Sequence, residues 1–198
     1  MTFERKQLRL IGAASLVFAL IFGVRQSQVL FIGPLNTQTG LGIAAISLAF
    51  AWAQLMWGIT QPIAGALADK YGSGRVIATG GLLVTIGTVL TPYASTTVML
   101  ILLIGVVAAG GAGMAGLGVL MSAVGRALPP ERRGLANGIV MLSHQAGGFL
   151  GAWLGGVLFE RTGSYDWMWY LDIMLALGAA LIHLPIKEAP KQTAAAAA

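Results

Sequence analysis

Gly65-Ala66-Leu67-Ala68-Asp69-Lys70-Tyr71-Gly72-Ser73-Gly74-Arg75 is a short charged turn between two long apolar stretches. Its reading decides the fold because charge is scarce elsewhere. Only 10% of the residues are Asp, Glu, Lys or Arg, whereas a soluble domain carries roughly 25%. Hydrophobic residues make up 57% of the chain and glycine fills 28 of its 198 positions. That composition belongs to an all-α membrane protein. The absence of cysteine excludes a disulfide scaffold, a Cys-ligated zinc and an iron–sulfur cluster. The net charge of +5 comes from short basic clusters between apolar runs, not from a contiguous basic surface, so no nucleic-acid partner is expected.

Stretches long enough to cross a bilayer, about 20 mostly apolar residues, run from Leu10 to Ile32, Ile43 to Ala68, Val76 to Tyr93, Val98 to Val124, Leu135 to Phe159 and Trp167 to Ile186. They predict six transmembrane helices in one domain over residues 10–188. A segment over 1–9 precedes them and a tail over 189–198 follows. If the helices alternate, Arg5, Lys6, Arg9, Lys70, Arg75, Arg126, Arg132, Arg133, Lys187 and Lys191 share one side, which is 10 of the 12 basic residues. By the positive-inside rule that side, with both termini, is cytoplasmic.

Several polar residues interrupt the spans. Arg25 stands in the first, where an isolated cation costs several kcal/mol and faces protein or a water-filled cavity. With Gln26, Ser27 and Gln28 it forms a polar patch past the middle of that span. A guanidinium offers paired donors to a carboxylate and stays charged; the alternative is a structural pair, or snorkelling toward the outer headgroups. His144 and Gln145 lie in the first half of span five and can donate to an anion, or bond a neighbouring helix. Asp172, near the start of span six, can neutralise Arg25 or carry a proton, or sit at the interface beside Trp167, Trp169 and Tyr170. His183 reads as interfacial. Glycines at 147, 151 and 155 recur every four residues and predict a flat strip for close helix packing, as does the dense run from Gly105 to Gly118. No metal-ligand spacing, nucleophile elbow or phosphate-binding glycine loop is present, so no enzyme activity, metal or cofactor is expected.

The opening turn resembles the signature loop of the major facilitator superfamily, Gly-x-x-x-Asp-Arg/Lys-x-Gly-Arg-Arg/Lys. Lys70 replaces the commoner Arg, Ser73 is extra before Gly74, and Val76 stands for the second basic residue. Here Gly65 is expected to allow a close helix approach, Gly72 and Gly74 to supply turn conformations, and Asp69, Lys70 and Arg75 to complete a gating motif. Residues up to about Ile139 are similar to the amino-terminal part of a facilitator, the oxalate/formate antiporter and monocarboxylate-type branch in particular. Val140 onward resembles the last two helices of such a transporter, as if a twelve-helix sequence were shortened internally.

The resemblance implies one facilitator half built of inverted three-helix repeats, in a bacterial-type inner (plasma) membrane. It implies secondary transport of a small organic anion, such as a mono- or dicarboxylate, with Arg25, Gln28, His144 and Gln145 binding substrate and Asp172 coupling an ion. A single half supplies one wall of a pathway, so a parallel homodimer is expected. The other readings are a transport-incompetent fragment or assembly partner, and efflux of amphipathic compounds.

Overall fold

The computed structural model describes residues 4–182. Lys187, Lys191, His183 and the expected tail over 189–198 lie outside the described residues. Six helical rods make up the described chain. Rod α1 runs through Arg5–Ser27, a 3-10 turn at Gln28–Phe31, and Ile32–Thr39. Then come α2, Ile43–Tyr71, and α3, Ser73–Leu90, prolonged by a 3-10 turn at Thr91–Tyr93. Rod α4 is composite: Thr97–Leu100, a π-helical stretch at Ile101–Ala108, Ala109–Met114 and, after a break, Leu117–Ala127. Rods α5, Pro130–Thr162, and α6, Asp166–Ile182, close the bundle.

All-helical structure follows from the solvent. Hydrocarbon offers no hydrogen-bond partner, so backbone groups must be satisfied within each segment. Four rods are long and apolar enough to cross a membrane by length and composition: Gln7–Thr39, Ile43–Tyr71, Ser73–Tyr93 and Thr97–Arg126. The remaining two expected spans are helices that fall short of that criterion. Rod α5 has 33 residues but exchanges apolar side chains for glycine and several polar groups, and α6 has 17 described residues. The first rod extends beyond the expected end at Ile32 to Thr39. Pro34 does not stop it because it sits in the first turn after the 3-10 segment, where a missing N–H costs little. This extension moves Arg25 from near one end of its span toward the middle.

Contacts between rods obey an internal symmetry. Rod α1 packs on α5 and α6, α4 on α2 and α3, and α3 on α6. Exchanging 1 with 4, 2 with 5 and 3 with 6 turns this set of pairs into itself, as an inverted three-helix repeat requires. Two apolar cores result. One includes Val17, Ile77, Leu120 and Val140; the other, toward the opposite end, includes Phe31, Ile46, Leu100 and Met168.

The tightest crossing joins α1 and α5. A Cβ on Gly151 would lie 2.5 Å from the Gly23 carbonyl oxygen, and one on Gly23 would lie 3.1 Å from that of Gly147. A side chain on Gly147 would run into the backbone of Ala19, and one on Gly155 into Leu30. The expected glycine strip is therefore a backbone-to-backbone contact. Gly65 behaves differently from the expectation: a Cβ there meets nothing within 4 Å, so no close approach among the described residues depends on it.

The charged turn joins three rods at one end. Gly72 has φ 95°, a conformation that L side chains rarely adopt, and it caps α2 while starting α3. Gly74 lies inside α3 and lacks a positive φ, so its expected turn role is not found. Asp69 is held by Arg126, at 3.1 Å. The guanidinium of Arg126 also donates to Ser73 Oγ and to Ser122 Oγ, both at 2.5 Å. One cation thus ties the end of α2, the start of α3 and its own α4. The extra Ser73 is the residue it grips, and that serine is buried. At the same end Arg132 donates to Gln7 on α1 at 3.3 Å.

Two measurements test these contacts. Gly151→Val is expected to lower thermal stability in lipid by about 1–3 kcal/mol or to prevent folding, as overpacking does. Gly138→Ala, where a Cβ meets open space, should be neutral or stabilising by up to about 1 kcal/mol. Asp69→Asn should cost no more than about 1 kcal/mol in the same assay, because the side chains of the pair are 43% and 71% exposed.

Candidate functional site

Near the middle of the bundle, Arg25 of α1 lies over the ring of Trp57 on α2, its guanidinium carbon 4.4 Å from the ring centroid. Both residues are half-buried. Stacking on the negative face of an indole lowers the cost of keeping the cation out of water, and it leaves the in-plane N–H donors at the guanidinium edge for another group. Arg25 has no carboxylate partner among the described residues. Trp57 gives no sign of this role in the sequence, where it is one more apolar residue halfway along a span.

His144 of α5 faces the same stretch of α1. It is 8% exposed, its ring stacks on Phe22 at 3.5 Å between centroids and lies 4.4 Å from Phe18, and its Nδ1 lacks a hydrogen-bond partner among the described residues. It lies within electrostatic reach of Arg25. The glycines at 147 and 151 bring it there, because they let α5 settle against the backbone of α1. Gln28 is half-buried one turn beyond Arg25, on about the same side of α1. Gln145 follows His144 directly, is turned about 100° from it, and is exposed. The structure therefore gathers Arg25, Trp57 and His144, with Gln28 beside them and Gln145 on the outside.

Rod α4 breaks at the same depth. Between Met114 and Leu117 the helix is interrupted, Gly116 packs against Gln61 and Gly113 against Trp57 and Thr60 of α2. The segment Leu117–Ala127 thus begins next to the helix that carries Trp57. Its first backbone N–H groups have no intrahelical acceptor, which favours negative charge nearby.

Asp172 is buried completely, away from Arg25, and its partner is Ser27 Oγ at 2.5 Å. Ser27 stands two positions after Arg25, which turns them about 200° apart on the helix. One faces α6 and the other α2, so Asp172 does not neutralise Arg25 and does not sit at the interface. Trp167 and Tyr170 are exposed, whereas Trp169 packs edge-on against Phe31. A cavity of about 780 Å³ opens at that end, between the ends of α1 and α3 and the turn into α6. Phe31, Tyr93, Tyr165 and Trp169 line it, and none of the expected substrate residues does. The Gly65, Asp69, Lys70, Gly72 and Arg75 turn is also remote, since Asp69 lies about 18 Å along α2 from Trp57.

The sequence profile of the Major Facilitator Superfamily matches residues 14–198. The chain is 30% identical over 164 residues to "Probable anion transporter 4, chloroplastic" of Arabidopsis thaliana, covering 81% of this chain and 30% of that protein. It is 29% identical over 134 residues to the oxalate:formate antiporter of Oxalobacter formigenes, covering 68% and 31%. With an MFS-type efflux transporter of Pyricularia grisea it shares 33% identity over 114 residues, 57% of this chain and 18% of that one. The chain thus spans a third or less of these relatives. The profile match extends over most of the chain and the contacts between rods have the symmetry of an inverted repeat: this chain belongs to the Major Facilitator Superfamily.

Proposed function

We propose that the chain is the six-helix core of a secondary transporter that moves a small organic anion, such as a mono- or dicarboxylate, by alternating access. The observation that carries this reading is Arg25: a cation at the middle of the bundle, stacked on Trp57 and without a carboxylate partner among the described residues. Such a group is costly in a membrane unless it meets an anion or water. The start of Leu117–Ala127 adds backbone donors on the α2 side. Gln28, His144 and Gln145 are the proposed hydrogen-bonding partners of the substrate, and Asp172 the ion-coupling group. The names of two relatives support the ligand class, one an anion transporter and the other an oxalate:formate antiporter.

In this reading the basic end of the bundle, with the Asp69 turn, faces the cytoplasm of a cell whose inner (plasma) membrane holds the protein. The turn gates by holding α2, α3 and α4 together. A second copy of the chain supplies the other wall of the pathway. Exposed Leu142, Phe149 and Trp153 on α5, and an α2 whose most apolar window is only 17% buried, leave that wall open. The same exposed aromatic side chains, with the efflux transporter among the relatives, favour a second reading: export of amphipathic compounds.

Uptake of labelled oxalate, formate and lactate into proteoliposomes tests the first reading. Arg25→Ala is expected to reduce uptake at least about a hundredfold, since charge-assisted bonds are worth about 1.5–3 kcal/mol each, while Arg25→Lys retains part of it. Uptake that ignores Arg25→Ala removes that residue from the site, and export of amphipaths that ignores it favours the second reading. Because the chain has no cysteine, single-cysteine variants at Leu142 or Trp153 can be cross-linked in membranes. Dimer bands are expected; monomers only, together with absent uptake, would leave a transport-incompetent fragment.

A further inference from the structure

Six acidic residues are described: Glu4, Asp69, Glu131, Glu160, Asp166 and Asp172. Five are exposed, and Asp172 alone is buried, at 0%. The groups that hold it can be counted by their hydrogens. Ser27 Oγ lies 2.5 Å from Asp172 Oδ2 and 2.7 Å from the carbonyl oxygen of Val24. Both are hydrogen-bond distances, yet a hydroxyl has one hydrogen and a carbonyl has none. If Ser27 donates to Val24, the hydrogen between Ser27 and Asp172 must come from the acid. If Asp172 is ionised, the single Ser27 hydrogen must serve both the carboxylate and the Val24 carbonyl, and a hydrogen divided between two acceptors suits neither short distance as well as two hydrogens do.

The second oxygen gives the same answer. Asp172 Oδ1 is buried and has no hydrogen-bond partner among the described residues. For a carboxylate this is an uncompensated half of a buried charge; for a carboxylic acid it is a carbonyl lacking one weak bond, which is far less costly. Among the described residues no cation pairs with it. Rods α1, α3 and α5 pack against α6. From α1, Arg25 points to Trp57 on the far side of the helix. From α5, His144 is stacked on Phe22, with Glu160 and Arg161 exposed near its end. Arg75 of α3 is exposed at the basic end, and Asp166 of α6 itself is exposed at the other. None of these forms an ion pair with Asp172 among the described residues.

We propose that Asp172 and Ser27 form a proton-binding site, in which Asp172 holds a proton in this conformation and releases it to water when the contact between α1 and α6 opens. With the proton bound, Asp172 Oδ2–H donates to Ser27 Oγ, and Ser27 O–H donates to the Val24 carbonyl. On release the O–H bond of the acid breaks, a water molecule takes the proton, and the Ser27 hydrogen turns from Val24 to the new carboxylate. Ser27 ends the first α-helical part of α1, directly before the 3-10 turn at Gln28–Phe31, and two residues after Arg25. The proton therefore acts on the joint of the helix that carries the proposed anion contact. This coupling, though not the proton site itself, rests on the transport reading above.

Infrared difference spectroscopy of the protein in lipid tests the site without any substrate. At neutral pH the wild type should show the C=O stretch of a buried, protonated carboxylic acid. Asp172→Asn should remove it, and because a neutral amide can donate to Ser27 as the acid does, this variant is expected to fold. Ser27→Ala should keep the band and shift it to higher frequency, having lost a hydrogen-bond partner. Identical spectra for wild type and Asp172→Asn would overturn the proposal, as would a band unmoved by Ser27→Ala. Coupling is read separately in proteoliposomes: a one-unit acid gradient should raise wild-type anion accumulation about tenfold for one proton per anion, and Asp172→Asn should flatten that response. A response that survives the substitution overturns the coupling, and a wild type that moves no anion overturns the transport reading while the infrared band still decides the proton site.

Discussion

The approach of α5 to α1 at backbone distance sets the positions of the polar groups inside the bundle. Without side chains at Gly23, Gly147 and Gly151, the two rods meet through carbonyl and Cα atoms, closer than any pair bearing a Cβ could come. Lipid tails are as apolar as the side chains they contact, so helices in a bilayer gain by dispersion and fit more than by the hydrophobic effect. A strip of glycine provides that fit. It also determines where His144 lands, against Phe18 and Phe22, and leaves the two flanks of α1 for other neighbours: Arg25 turns to α2 and Ser27 to α6.

Polar groups in the bundle are each accommodated differently. Arg126, at the end where water is available, meets a carboxylate and two hydroxyls, and its ion pair is largely exposed. Arg25, at the middle, meets the face of an indole. Asp172, wholly enclosed, meets one hydroxyl. Fewer full charges are paired the deeper the group lies, and the deepest is the one whose surroundings suit a neutral acid. Depth in the bundle thus separates the groups that fasten it from the groups suited to bind something.

The turn from Gly65 to Arg75, the six helices and the exceptional position of Arg25 are legible without coordinates, because each follows from local composition against the dielectric of a membrane. The glycine strip is legible too, since a period of four places its members on one side of a helix. The errors have local causes of their own. The first span reads as ending at Ile32, yet Pro34 sits in a first turn where a missing N–H costs little and the rod runs on to Thr39; Gly65 reads as a contact point but faces open space. What stays hidden is every pairing across the chain: Trp57 with Arg25, Ser73 with Arg126, Ser27 with Asp172. The last joins residues 145 positions apart.

Taken alone, the sequence determined the solvent, the helices and the side on which most basic residues gather, because hydropathy and the positive-inside rule act on short stretches independently of one another. It also singled out Arg25, His144 and Asp172 as anomalies. Only the tertiary structure decided what each anomaly faces. A helix turns about 100° per residue, so neighbours in sequence such as Arg25 and Ser27 belong to different contacts, and the rod that meets each of them is set by packing at a glycine crossing more than a hundred residues away.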